Sequence, residues 1–152
     1  MHDRREVLAR SGALAMMLAG AGLWSRPALA AWPAAAFDTK GLADLARALG
    51  GQAPQEHKAV TLVAPEMAEN GSAVPMQLAC SMPGLRRLAV MVEKNPVPLA
   101  ALFEFGEGAE ANVNTRLKMA QTSAVYAVAL MADGRVFYTQ REIKVTLGGC
   151  GS

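Results

Sequence analysis

Apolar and polar residues alternate through much of this chain with a period of two. Val74, Met76, Leu78 and Cys80 share one parity, with Pro75, Gln77 and Ala79 on the other. Val113, Thr115, Leu117 and Met119 alternate with Asn114, Arg116 and Lys118, and residues 142–147 alternate in the same way. Such alternation marks half-buried strands, because successive side chains leave opposite faces of a pleated backbone. Residues 60–63, 88–92, 99–105 and 125–131 form more continuous apolar runs, and the last is long enough to be a central strand. Turn signals separate these segments: Asn70-Gly71 within 66–72, Ser81-Met82-Pro83-Gly84, Asn95-Pro96-Val97-Pro98, an acidic loop over 106–110, and Ala132-Asp133-Gly134-Arg135. A helical period is found once. Leu42, Leu45, Ala46 and Leu49 share a face, Asp38 or Thr39 can cap the start, and Gly50-Gly51 stop it; this helix is expected over one edge of a sheet. Residues 31–36 read as a flexible lead-in and 52–58 as a loop. The pattern predicts an all-β fold: an immunoglobulin-like antiparallel β-sandwich with a short N-terminal helix and a flexible C-terminal arm.

The first 30 residues change how the composition is read. Arg4-Arg5 is followed by an apolar run from Gly12 to Trp24 and by Ala28-Leu29-Ala30, a small-x-small cleavage signal. That run is shorter than the ~20 residues a spanning helix needs. The arginine pair resembles a twin-arginine export signal, with an ordinary secretory signal as the alternative; either sends the mature domain, 31–147 plus the tail 148–152, out of the cytoplasm. The segment holds four of the 15 Lys+Arg and two of the 13 Asp+Glu, so 11 of each remain and the mature chain is formally neutral. A neutral domain lacks the positive field that non-specific nucleic-acid binding requires.

Candidate chemistry narrows to the tail. Two well-separated cysteines and one histidine in the mature chain, His57, cannot close a zinc site, and His57 reads as a solvated loop residue. No nucleophile elbow, P-loop or dinucleotide fingerprint is present. After the last alternating segment come Gly148, Gly149, Cys150, Gly151 and Ser152. Glycine is slim and conformationally free, and three extended residues carry a thiol about 10 Å. Such a thiol suits entry into another protein's pocket, or it pairs with Cys80. The parity of Cys80 points it inward with Val74, Met76 and Leu78, which weakens the disulfide. No base neighbours Cys150 in sequence, and the terminal carboxylate two residues on disfavours a thiolate, so this thiol is a handle and activation has to come from a partner. Arg116 and Lys118, on one outer face, are candidates for contacting a partner or an anion; the alternative is a solvated polar face. Arg86-Arg87 carries no assigned role. Val90, Val92, Leu99 and Leu102 are candidates for a subunit interface that the core claims equally well.

Several runs resemble one family. Pro65-Glu66-Met67-Ala68-Glu69-Asn70-Gly71 with Val74-Pro75, then Val92-Glu93-Lys94-Asn95-Pro96, Thr115-Arg116-Leu117-Lys118-Met119-Ala120 and finally Lys144-Val145-Thr146-Leu147-Gly148-Gly149-Cys150-Gly151 are similar to SoxY, the carrier subunit of the bacterial thiosulfate-oxidising system. The resemblance spans roughly residues 40–152. Ser152 replaces a terminal glycine, and Cys80 is not part of the family pattern.

The resemblance implies a non-enzymatic swinging-arm carrier in the periplasm. Cys150 would bond covalently to thiosulfate-derived sulfur, with Gly148, Gly149 and Gly151 supplying flexibility and clearance. It implies a heterodimer with SoxZ and transient encounters with SoxAX, SoxB and SoxCD-type enzymes. No cofactor is expected on this chain; heme, manganese and molybdenum belong to those partners. A thiol-dependent sulfurtransferase and an adhesive sandwich cross-linked through Cys150 are the rival classes.

Overall fold

The computed structural model describes residues 33–147; residues 1–30, read above as an export signal, and the tail with Gly148, Gly149, Cys150, Gly151 and Ser152 lie outside them. Two short helices come first, α1 (Ala34–Phe37) and α2 (Leu42–Ala48). Nine strands follow: β1 (Gln55–Glu56), β2 (Val60–Val63), β3 (Met67–Asn70), β4 (Val74–Cys80), β5 (Leu85–Val92), β6 (Leu99–Glu104), β7 (Asn112–Leu117), β8 (Ser123–Met131) and β9 (Val136–Leu147). One sheet runs β1-β9-β8-β5-β6, with β3 also on β9; the other runs β2-β4-β7. The two face each other as a β-sandwich.

Why some strands alternate and others run continuously apolar follows from what covers them. Leu88, Val90 and Val92 of β5 and Val125, Ala127, Ala129 and Met131 of β8 meet Val60, Leu62, Val74, Met76 and Leu78 in the inter-sheet core. The opposite parity of the same two strands, Ala89, Met91, Val128 and Leu130, packs against Ala36, Leu45, Ala46 and Leu49 of the helical segment. Both faces of β5 and β8 are dry, hence their unbroken apolar runs. The β4 strand alternates because its outer face is open: Val74, Met76, Leu78 and Cys80 are buried and Pro75 is exposed.

Several expectations change. The helical region lies over the middle of the larger sheet rather than one edge, since its contacts reach β5, β6, β8 and β9. The stretch 31–36, read as a flexible lead-in, runs into α1 from Ala34 onward, where Ala36 is fully buried. The N-cap of α2 is Gly41, with no side-chain cap; Thr39 instead donates its hydroxyl to the Ala36 carbonyl at 2.7 Å. The loop over 52–58 and the turn over 66–72 contain β1 and β3, both paired parallel to β9, so the sandwich is not wholly antiparallel. Strands of two and four residues with little apolar alternation leave no periodic signal. Val90, Val92 and Leu99 are fully buried within this chain and Leu102 packs under the helices, so none of the four is an open interface residue. His57 is exposed in a loop, as read; its Nδ1 accepts from the Ala59 N–H at 3.1 Å and its ring tilts over Phe137.

Candidate functional site

The candidate site is the end of the sandwich from which β9 exits toward the cysteine. β9 is twelve residues long and outlasts β8: the β8–β9 ladder stops at the Ser123↔Ile143 pair. Beyond it, β3 takes over on the other side, with Met67 opposite Lys144, Ala68 opposite Val145 and Asn70 opposite Leu147. Where β8 no longer supplies backbone partners, side chains do. The Val145 N–H donates to Thr122 Oγ1 at 2.9 Å, and Thr146 Oγ1 donates to the Glu69 carbonyl at 2.9 Å. Thr122, just ahead of β8, and Thr146, within β9, escape sequence reasoning, since a threonine hydroxyl gives no local sign of what it bonds.

The neighbouring loops are tied to this end by the runs that carried the family resemblance. Asn95 uses both ends of its amide: Nδ2 donates to the Lys118 carbonyl at 2.8 Å, and Oδ1 accepts from Ala120 N–H at 2.9 Å. The Met119 N–H donates to the Gly71 carbonyl at 2.7 Å, which joins the β7–β8 loop to the β3–β4 turn. In that turn Asn70 Oδ1 accepts from Ser72 N–H at 2.8 Å, an Asx-type closure. The Lys94 N–H donates to buried Ser123 Oγ at 3.0 Å. Three loops and the last turn of β9 are therefore one hydrogen-bonded platform, built on backbone donors that would otherwise be orphaned.

The sequence-predicted residues distribute as follows. Arg116 lies on the outer face of β7, opposite Pro75, and Lys118 falls one residue past the strand's end; both are exposed, and neither has an ion-pair partner among the described residues. Lys118 sits in the platform through its backbone. Cys80 is free and buried, facing the inter-sheet core as its parity indicated. It stands at the far end of β4, six residues and hence about 20 Å from Val74. Arg87 is paired with Glu104 at 2.7 Å, while Arg86 has no assigned role. No group of three or more His, Cys, Asp or Glu is placed to hold a metal ion among the described residues. No helix among them is long and apolar enough to cross a membrane.

Comparison with known proteins gives this end its context. The family model described as sulfur oxidation protein SoxY matches residues 45–150. The chain belongs to the SoxY family. Among solved structures, the sulfur carrier protein SoxY from Chlorobium limicola f thiosulfatophilum is similar at 33% identity and a TM-score of 0.61, covering 68% of this chain and 93% of that one. A superoxide reductase (neelaredoxin) from Ignicoccus hospitalis matches at 20% identity and a TM-score of 0.51, covering 57% of this chain and 80% of that one. A variant of the same reductase matches at 17% identity and 0.50, covering 71% and 90%. At such identities the likeness to the reductases extends to the fold alone. A search of curated proteins returns no match. For this SoxY-family chain, the matched span includes both the platform and Cys150.

Proposed function

We propose that this chain is a periplasmic carrier that holds sulfur intermediates covalently on Cys150 and presents them to partner enzymes, without catalysing a step itself. The observation that supports it most is that the family match runs through residue 150, so the cysteine lies inside the shared region. The braced root at Thr122, Val145 and Asn95 supports it physically, because a mobile arm needs a fixed origin. The glycines at 148, 149 and 151 give that arm its clearance.

In this reading the Cys150 thiol joins the outer sulfur of thiosulfate. One S–S bond forms, one proton leaves, and two electrons pass to a heme-containing SoxAX-type partner. A SoxB-type hydrolase then adds water across the terminal S–S bond, releasing sulfate and a proton and leaving a persulfide on Cys150. A SoxCD-type dehydrogenase can oxidise that remaining sulfur. SoxZ is the proposed stable partner, and the arginine pair at 4–5 fits export through the twin-arginine route.

The test is a reconstituted thiosulfate-oxidation assay with Cys150→Ala. Turnover is expected to vanish while folding and SoxZ binding persist, and intact mass spectrometry of wild-type protein is expected to place the sulfur adducts on the C-terminal peptide. Undiminished turnover, or adducts confined to Cys80, would overturn the reading. A chain that serves only as a cross-linked adhesive would show disulfide dimers and no such adducts.

A further inference from the structure

The outer face of the β2-β4-β7 sheet is exposed, whereas helices cover the corresponding face of the other sheet. Within it the β2–β4 ladder ends at Val63↔Gln77, and the chain then peels away through Ala64 and Pro65 toward β3. Arg141 holds the departing strand by donating from Nη1 to the Ala64 carbonyl at 3.0 Å. Pro75 is the next position of β4 on that side, and proline has no N–H to leave unpaired where a neighbour strand has gone. The gap is a groove of about 580 Å³, with Val63, Pro65 and Pro75 among its walls, Met76 and Gln77 beside them, and Arg116 as its charged residue. Val63 is 59% exposed, and Met67, two residues beyond Pro65, is 58% exposed. Two large apolar side chains thus stand in water on one five-residue segment, and Met67 is opposite Lys144, three residues before the end of β9.

We propose that this groove is where the arm-receiving enzymes dock, taking an apolar side chain from the rim of their pocket between Val63 and Pro75 and a rim carboxylate on Arg116. The inference rests on the carrier reading. Three observations select this occupant. No carboxylate lines the groove and Arg116 has no ion-pair partner among the described residues, so its charge is complementary to an acidic rim. The patch is small and edged by amides, Gln77 and Asn114, unlike the broad apolar face of a stable heterodimer. It also adjoins β9, the strand that leads toward Cys150, through the Arg141 bond to the Ala64 carbonyl on the groove wall. A docking contact of this kind raises the local concentration of the thiol for the enzyme without touching the chemistry.

The experiment uses the loaded chain in complex with SoxZ as substrate for a SoxB-type hydrolase, then for the SoxAX- and SoxCD-type partners. Val63→Glu is expected to raise the KM for the carrier about tenfold with kcat at saturation unchanged, as loss of one buried anchor does. Arg116→Glu is expected to raise it by a similar factor, and Arg116→Lys to restore most of the loss. Thermal melting and SoxZ affinity are expected to stay at wild-type values, since Val63 and Arg116 are exposed. Unchanged KM with all three partner classes overturns the proposal, and so does a loss of SoxZ affinity, which would assign the groove to the heterodimer. Failure of the carrier reading itself registers separately, as turnover that survives Cys150→Ala.

Discussion

Thr122 stands in for a missing strand at Val145. Its Oγ1 accepts the Val145 N–H at 2.9 Å and lies 3.4 Å from the Val145 carbonyl, so one hydroxyl faces both groups that β8 would have paired. β8 starts one residue later, at Ser123. The hydroxyl therefore caps the β8 side of β9 two residues past the last β8–β9 pair, while β3 continues to hold the other side through Leu147. Thr122→Val keeps the shape and removes the bond, leaving a part-buried N–H unsatisfied. It is expected to cost about 1–2 kcal/mol locally. Amide exchange at Val145 and Thr146 is expected to accelerate well before the rest of β9, with Thr122→Ser close to wild type. Uniform exchange along β9 in both variants would show that Thr122 sets no boundary.

Gly51 marks a different constraint. A Cβ built there would lie 2.3 Å from Val136 Cγ2 and 2.9 Å from Leu130 Cδ1. Its N–H is also held, donating to the Ala46 carbonyl at 2.8 Å as the α2 segment ends. The residue is glycine because the chain leaving the helix passes flush against β8 and β9. Gly51→Ala is expected to destabilise the fold by about 1–3 kcal/mol through overpacking, read as a lower denaturation midpoint. The same change at Gly41, where nothing lies within 4 Å, is expected to cost less than about 1 kcal/mol, from loss of a favoured N-cap residue, so the pair separates packing from capping.

Much of this arrangement was legible before the structure. Seven of the nine strands follow the alternating and continuous apolar runs, because in each the buried parity is fixed by the opposing sheet or by the helices. β1 and β3 were not legible. Each lies against β9 chiefly through backbone pairing, with Ala68 the one buried side chain of the two strands and exposed residues such as Gln55, Glu56 and Met67 that carry no periodic pattern. The platform was half legible. The runs containing Asn70, Asn95 and Lys118 drew attention by family resemblance, but Asn95 read only as the start of a stiff break. That its amide spans residues 118 and 120 depends on contacts more than twenty residues away in sequence. The groove was invisible because it is made by an absence, the departure of β2 after Val63, with Pro75 as its sole local trace.

Tyr126 gives the fold an alkaline edge. Burial pushes its hydroxyl above the usual value of 10.0, with Glu93 and then Tyr138 adding to the shift, and the two tyrosine rings lie 6.1 Å apart. A raised acid pKa means that the folded state favours the neutral phenol. The associated stability is fully present below the unfolded value and is lost as pH rises through the tyrosine range. Denaturation midpoints are expected to fall above pH 10, and Tyr126→Phe to flatten that fall. An identical alkaline slope in Tyr126→Phe would place the loss on another group.

Cys80 bears on whether Cys150, the proposed carrier thiol, acts alone. It is 8% exposed, packs with Val74, Met76 and Leu78, and donates its N–H to the Ala111 carbonyl at 3.0 Å. A thiol held there is shielded from solvent oxidants, and its distance of about 20 Å along β4 from the Val74 end exceeds the roughly 10 Å that three extended residues span. The reduced native protein is expected to give one fast-reacting thiol with an aromatic disulfide reagent and a second only on unfolding. Cys80→Ala is expected to cost about 1 kcal/mol from the lost sulfur packing and to leave sulfur loading on Cys150 intact. Two equally fast thiols in the native protein would mean that the β4 end opens readily. Loss of loading in a Cys80→Ala protein that melts normally would give the buried sulfur a part in the chemistry that its packing does not suggest.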